Sequence, residues 1–391
     1  MMILSDICSY RSEKVKTSQL SINNYISTEN MLPNKMGIEK ATNIPSAEYT
    51  PRFYKDDILI SNIRPYFKKI WQANIDGGCS TDVLVFKNKH KIDPIYLYYI
   101  LSDDNFFNHA MATSKGTKMP RGDKLAIMNY SIPDFDLNSQ IKIGRILRNF
   151  DDKIFLNQQQ NNNLEQQAQT LYLDKVEKYK DKEIKVEDIV LTANTGADAI
   201  QKAPIVDYNT GIKCVRVGDM SNKRNYHDWG YTKVSDDVFV QYQLKKDDII
   251  VTRTASLGLN TIISKDLNAV YNNGLIRLSI NKEKIIPLLV YRQFQTTDFE
   301  NYISKIEGET SVRPNMKINY LLQYNFSIIS KEKQEELANI LKPIWERQEQ
   351  LKEENEKLSQ LRDTLLPKLM SGEIDVSKFN ISADKLSFTE E

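Results

Sequence analysis

Two stretches about 190 residues apart say nearly the same thing, and this duplication limits what the chain can fold into more than any single motif does. YKDDILISNIRPYFKKI at 54–70 resembles KKDDIIVTRTASLGLNTI at 245–262; both turn through Asp-Asp-Ile into a strand. TDVLVFKNKHKIDPIYLYYIL from Thr81 resembles GLIRLSINKEKIIPLLVYRQF from Gly274, a strand followed by a charged turn and then a proline that opens an apolar helix. Proline suits the first helical turn, where its missing N–H would have had no partner. SKGTKMPRGDKLAIMNYSIP at 114–133 and IEGETSVRPNMKINYLLQYNFSII at 306–329 both set a glycine ahead of a small, polar, basic loop that ends in an apolar strand. Thinner matches hold the same order: LSDI at 4–7 with VEDI at 186–189, and NYISTENM at 24–31 with KCVRVGDM at 213–220.

The repeat continues into a glutamine- and asparagine-rich tract, KIFLNQQQNNNLEQQAQ from Lys153, whose composition alone describes a flexible linker. SQIKIGRILRNFDDKIFLNQQQNNNLEQQAQTLY from Ser139 aligns on EKQEELANILKPIWERQEQLKEENEKLSQLRDTLL at 332–366, and the second copy reads plainly as a helix. Leu337, Leu341, Ile344, Leu351, Leu358 and Leu365 recur at three- and four-residue steps or multiples of them, the seam of a coiled coil. Gln348 and Asn355 interrupt it. The first copy puts Ile143, Leu147, Phe150, Ile154, Leu164 and Leu171 in the same register, with Asn157 and Asn161 at seam positions. The tract therefore reads as helix.

A helix of this length spans on the order of 60 Å and cannot bury its seam alone in water, so the two helices are expected to pair, antiparallel. The expected fold is α+β. A first globular domain covers 1–137, a central helix 138–180, a second globular domain 181–330, a distal helix 331–371 and a tail 372–391.

Composition excludes more than it selects. An apolar share of 40% fits a folded chain, and a net charge of +1 excludes a blanket of positive charge without excluding local basic surfaces. Cys8, Cys79 and Cys214 stand apart, as do His90, His109 and His227, so no disulfide framework or metal-ligand spacing emerges. The opening MMILSDICSYRSEK is too short in its apolar part for a signal peptide, and no run is long enough to span a bilayer. The expectation is a soluble, cytoplasmic protein with no membrane partner. GETSVRP from Gly308 lacks the residues of a phosphate-binding P-loop, and neither a Gly-x-Gly-x-x-Gly run nor an Asn-Pro-Pro-Tyr-like loop occurs. Pro133-Asp134 with Glu183-x-Lys185 could be forced into a nuclease pattern, but surface charge accounts for them better. No catalytic or metal-binding residue is assigned.

The two glycine-led loops carry the remaining signal. Lys115, Lys118, Arg121 and Lys124 cluster in the first, where Gly116 and Gly122 allow close backbone approach. The second offers Thr310, Ser311, Arg313, Asn315 and Lys317. After the Asp-Asp-Ile strands come Asn62, Arg64, Lys68 and Lys69, with Tyr66 and Phe67, in one half and Thr252, Arg253 and Thr254 in the other. Arginine and lysine reach phosphates or guanine, and asparagine can pair with adenine. Recurrence at matched places points to a DNA-binding face in each half.

With these features in hand, the chain resembles the specificity (S) subunit of a Type I restriction-modification enzyme. QLRDTLLPKLMSGEIDV at 360–376, a leucine-rich helix running into Ser-Gly-Glu, carries most of the likeness. The Gln-x-x-Ile helix openings at Gln140 and Gln334 and the Asp-Asp-Ile strands add to it. The resemblance implies two target recognition domains that each read part of a bipartite site in double-stranded DNA. It also implies that the two helices set the spacer and dock two modification (methyltransferase) subunits, which restriction (translocase) subunits join. S-adenosylmethionine, ATP and Mg would then belong to those partner subunits, with no cofactor in this chain. Two alternatives stay open: a recognition subunit of another multi-subunit or Type II-like adenine methyltransferase, or a coiled-coil adaptor that binds no DNA.

Overall fold

The computed structural model describes residues 2–89, 92–309 and 314–378. The chain divides into two compact units, Met1–Ile154 with Lys357–Glu391, and Phe155–Glu356.

In the first unit, Cys8–Tyr10, Val83–Asn88, Ile58–Ser61 and Ile70–Gln72 lie side by side in that order as an antiparallel sheet. Both faces of its middle strands are apolar because both are covered. Ile58, Ile60, Leu84 and Phe86 point into a helix-backed core, while Leu59, Val83 and Val85 point the other way into a second cluster with Phe53 and Cys79. This is the period-two alternation of a pleated strand, doubled because neither side meets water. A smaller sheet runs Lys14–Lys16, Tyr49–Phe53, Gly77–Cys79, Tyr25–Ile26, its last pair parallel.

The second unit repeats the larger sheet with Val190–Thr195, Leu275–Ile280, Ile249–Thr252 and Asn260–Ile262. The Asp-Asp-Ile turns match in backbone conformation and closing hydrogen bond. Asp56 and Asp247 both take positive φ, 71° and 70°. The next carboxylate accepts from the backbone three residues earlier, Tyr54 N at 2.8 Å in one unit and Lys245 N at 2.9 Å in the other. The short helices Leu4–Ile7 and Val186–Ile189 correspond too, each with its third residue, Asp6 or Asp188, accepting from the backbone N–H that precedes the helix. The smaller sheets differ. Tyr49–Phe53 pairs with Gly77–Cys79, whereas Gly230–Thr232 pairs with Lys213–Val215, so the third strand joins the opposite member of the parallel pair.

The central helix Leu137–Tyr179 is unbroken through the glutamine- and asparagine-rich tract, and the distal helix covers Lys331–Met370. They pack together and run antiparallel within each unit. In the first, Ile143 and Leu147 share a core with Leu366, Leu369 and Met370, and Arg362 Nη1 meets Asp151 Oδ1 at 2.5 Å. In the second, Asn157 Nδ2 donates to Asn355 Oδ1 at 2.9 Å, Gln348 Nε2 to Glu165 Oε2 at 2.8 Å, and Ala168 and Tyr172 pack with Leu337 and Leu341. Of the seam residues, Ile143, Leu147, Leu337, Leu341 and Leu351 are buried, while Phe150, Ile154, Leu164, Leu171, Ile344, Leu358 and Leu365 are half-buried. Past the distal helix, Gly372 takes φ 77°, the left-handed stop that favours glycine.

The recurrent glutamines tie each domain to its helix. Buried Gln140 accepts from Asp93 N at 3.0 Å and donates to Phe135 O at 2.8 Å. Buried Gln334 accepts from Ile286 N at 3.3 Å and donates to Ile329 O at 3.0 Å. Asp93 and Ile286 each directly precede the proline that starts a domain helix, Pro94–Ser102 or Pro287–Gln293.

Candidate nucleic-acid interface

In the first unit the two basic loops are laced by their backbones. Lys115 and Arg121 exchange two N–H···O bonds of 2.9 Å, closing a small loop whose tip carries exposed Lys118 and Met119. Arg64 N then donates to Pro120 O at 2.8 Å, and Gly122 N to Asn62 O at 3.2 Å. At Gly122 a Cβ would stand 2.8 Å from Ile127 Cδ1 and 2.9 Å from Asn62 Oδ1, so any larger residue would have to displace those side-chain ends. Gly116 sits at φ 93°, the left-handed turn that lets the loop close. A third loop joins them, with Asn34 N on Phe67 O at 2.8 Å and Lys35 N on Lys68 O at 2.9 Å. Asn34, Lys35, Arg64 and Lys68 all hold positive φ, so the backbone here is strained in four places within one small area.

Carboxylates hold the cations in place. Arg121 Nη2 lies 3.0 Å from Asp82, Lys115 Nζ 2.6 Å from Asp123, and both Lys68 and Lys35 reach Asp104, at 2.8 and 2.9 Å. The Lys115 ammonium draws the Asp123 carboxyl below the usual range, helped by the N–H groups of Ala126 and Leu125. Lys69 is turned inward. Its Nζ donates to Thr28 O at 2.6 Å, and desolvation lowers its pKa. Lys124 is exposed at the start of the short helix Lys124–Met128. Asn62, Arg64, Lys115, Lys118 and Arg121 therefore form one group, Lys68 and Lys35 a second around Asp104, and Lys69 faces the domain. Sequence reasoning missed Lys35 and the three carboxylates, because nothing in a lone Asn-Lys pair or a scattered aspartate marks such pairing. Tyr66 and Phe67 are 48% and 39% exposed and touch each other beside the basic residues, with ring centroids 4.7 Å apart.

The second unit repeats the lacing with other chemistry. Thr254 pairs with Asn315 across the two loops, and Met316 N donates to Arg253 O at 2.8 Å. The Arg253 guanidinium spans Met316 O at 3.0 Å and Asn273 O at 3.1 Å, so it fastens the loops together. Thr252 is fully buried; its hydroxyl donates to Ser256 O and accepts from Leu259 N, which makes it a brace for the turn. Asn315 and Lys317 are exposed. Thr310, Ser311 and Arg313 lie outside the described residues.

Among the described residues no group of three or more His, Cys, Asp or Glu side chains is arranged to hold a metal, and no helix is long and apolar enough to cross a membrane. Burial pushes the Cys8 and Cys79 thiols up to about 12 and Cys214 to about 11, too high for a thiolate nucleophile at neutral pH. The laced basic loops are suited to lying against a polyanion. Cations already oriented by carboxylates can exchange those partners for phosphates with little loss of side-chain freedom.

Residues 3–166 match the family model of the Type I restriction modification DNA specificity domain. Over 326 residues, 78% of this chain and 76% of the other, the sequence is 24% identical to the Type I restriction enzyme MjaVIII specificity subunit of Methanocaldococcus jannaschii. The Type I restriction enzyme EcoDI specificity subunit of Escherichia coli is 30% identical over 93 residues, 24% of this chain and 20% of its own length. The fold is similar to the crystal structure of the S subunit of a Type I restriction-modification system from M. genitalium. The TM-score is 0.54, at 15% identity over 94% of this chain and 95% of that one.

Proposed function

We propose that the chain is a specificity subunit of a Type I restriction-modification system, the family to whose DNA specificity domain residues 3–166 are similar, and that its two units each read one part of a bipartite site in double-stranded DNA. The loop pair 62–69 with 114–124 serves one half-site, and 252–254 with 310–317 the other. One observation carries this reading: both units lace the loop after the Asp-Asp-Ile strand to the glycine-led loop by backbone pairing, Ile63 with Arg121 and Thr254 with Asn315. The differing side chains on the two loop pairs suit different bases, while the shared backbone lacing sets how each loop pair meets the duplex.

In this reading the paired helices set the spacer and offer the surface on which two methyltransferase subunits assemble, with restriction subunits joining them. Methyl transfer from S-adenosylmethionine and ATP-driven, Mg-dependent cleavage then reside in those partners. This chain contributes the address. The test is a mobility shift of the co-purified complex on duplexes that carry the full site, either half-site alone, or neither. Binding should fall linearly in log–log form with salt, by about 0.9 per phosphate neutralised, since each lysine or arginine contact releases counterions. A complex that shifts all duplexes equally at every salt concentration would overturn the proposal.

A further inference from the structure

Among the largest fully buried side chains of the described residues is a charged one, Arg292, with 0% of its surface exposed. It sits on the proline-led helix Pro287–Gln293 of the second unit, at the place that Tyr99 holds on Pro94–Ser102 of the first. Its guanidinium closes a ring with both long helices. Nη1 meets Glu165 Oε1 of the central helix at 2.5 Å, Nη2 meets Gln348 Oε1 of the distal helix at 3.0 Å, and Gln348 Nε2 returns to Glu165 Oε2 at 2.8 Å. The first unit has a clasp of different chemistry: the Tyr99 hydroxyl donates to Asp151 Oδ2 at 2.5 Å, and Arg362 of the distal helix donates to Asp151 Oδ1.

We propose that Arg292 is a positioning residue: its clasp fixes the angle at which the second recognition domain sits on its helix pair, and thereby the spacer length the protein accepts. This rests on the bipartite reading given above.

Stability is a poor reason for such a residue. The guanidinium is wholly desolvated, and its Nε is buried with no hydrogen-bond partner among the described residues. A buried ion pair with an unmet donor is commonly matched or bettered by apolar side chains of similar volume. Apolar contact is already present beside it, where Leu288 and Leu289 pack with Ala168, Tyr172, Leu337 and Leu341. Such contact attracts without direction, and the small Ala168 side chain offers little to stop the domain helix from turning or sliding. Three charge-assisted or amide hydrogen bonds that involve three helices do stop it, because each demands its own alignment.

The clasp also continues toward the reading loops. Tyr172 of the central helix donates to Gln293 Oε1 at 2.8 Å, Gln293 Nε2 donates to Tyr324 Oη at 2.7 Å, and Tyr324 donates to Asp298 Oδ2 at 2.6 Å. Asp298 lies in the first turn of the helix Thr297–Glu309, whose far end leads into the glycine-led loop. Polar contacts thus run unbroken from the helix pair to the first turn of the helix Thr297–Glu309.

One base pair more or less of spacer moves a half-site by about 3.4 Å along the duplex and about 35° around it. A reader held at one angle excludes that displacement, and a reader with a loose joint admits part of it. The experiment maps methylated adenines genome-wide in cells that express the whole complex with the wild-type chain, with Arg292→Met, or with Arg292→Met/Glu165→Leu. The double variant leaves no unpaired carboxylate at the clasp, and its melting temperature and co-purification report that it folds and assembles. The expected result is unchanged base pairs in both half-sites, with new methylation at spacers one base pair longer or shorter, rising from background to at least a tenth of the cognate level. Arg292→Lys, which keeps the charge but loses the fork, should lie between. A folded, assembled double variant that modifies only the wild-type spacer, or that modifies nothing, would overturn the clasp. A purely structural role would lower melting temperature and overall methylation while leaving spacing intact. A wild-type chain without a bipartite motif would instead sink the reading on which the clasp depends.

Discussion

Leucine at Asn355 should harm the helix pair more than leucine at its hydrogen-bonded partner Asn157. Asn157 is 1% exposed and donates its amide to Asn355 at 2.9 Å, whereas Asn355 is only half-buried. Asn355→Leu strands a wholly buried amide at a cost of about 2–3 kcal/mol, of which leucine burial returns roughly 1 kcal/mol. Asn157→Leu leaves a side chain that can turn toward water, so its net cost is about 0–1 kcal/mol. In a unit of this size each kcal/mol lowers the melting midpoint by roughly 2–4 °C, which puts the Asn355→Leu drop at about 2–8 °C. The double variant removes both amides and should melt at or above the wild type, a coupling of at least about 1 kcal/mol. Urea and thermal unfolding of the full chain, followed by helical circular dichroism, measure all three. A larger loss for Asn157→Leu, or a double variant whose loss is the sum of the singles, would refute the reasoning.

Three other outcomes follow from the same structure. Arg121→Ala should weaken binding to one half-site by roughly tenfold or more, consistent with about 1–3 kcal/mol for a bidentate base contact, and leave the other half-site unchanged in competition shifts; equal loss at both would contradict the two-reader account. Gln334→Leu leaves Ile286 N and Ile329 O without their partner and should cost about 1–3 kcal/mol in urea unfolding, with Gln140→Leu comparable because it cuts the matching pair at Asp93 and Phe135. Acid should loosen the Arg292 clasp. Burial alone would raise the Glu165 pKa, but the Arg292 guanidinium and the Gln348 amide overcome it and hold the carboxyl below the usual range. The clasp's contribution is therefore whole above about pH 4.3 and is lost as pH falls through the lower folded value, so Glu165→Gln should flatten the acid limb of stability below about pH 4.3.

Much of this architecture was legible because duplication repeats its evidence. Asp-Asp-Ile read as a turn into a strand in both halves, and the structure has that turn in both, closed by Asp57 and Asp248. The glutamine-rich tract became helix once its seam was set against Leu337 and Leu341, and Asn157 and Asn355 then found each other across that seam. The smaller sheets were not legible, because the parallel pair offers two strands on which a third can dock and no local pattern chooses between them. Thr252 read as a polar loop residue, but its hydroxyl is satisfied inside the turn, a local bond that sequence does not announce. Lys69 was misleading for a related reason: a long side chain can fold back onto a carbonyl such as Thr28 O. Arg292 stands in a run of apolar and aromatic residues with nothing local to mark its partners, because Glu165 and Gln348, which close around it, lie far away in sequence.

The most direct test of the central claim maps methylated adenines in otherwise unmethylated cells that express the methyltransferase subunit with and without this chain. The account predicts one motif of two short defined parts separated by a single fixed number of unspecified base pairs, present only when this chain is. A single continuous motif, or the same methylation without the chain, would contradict it.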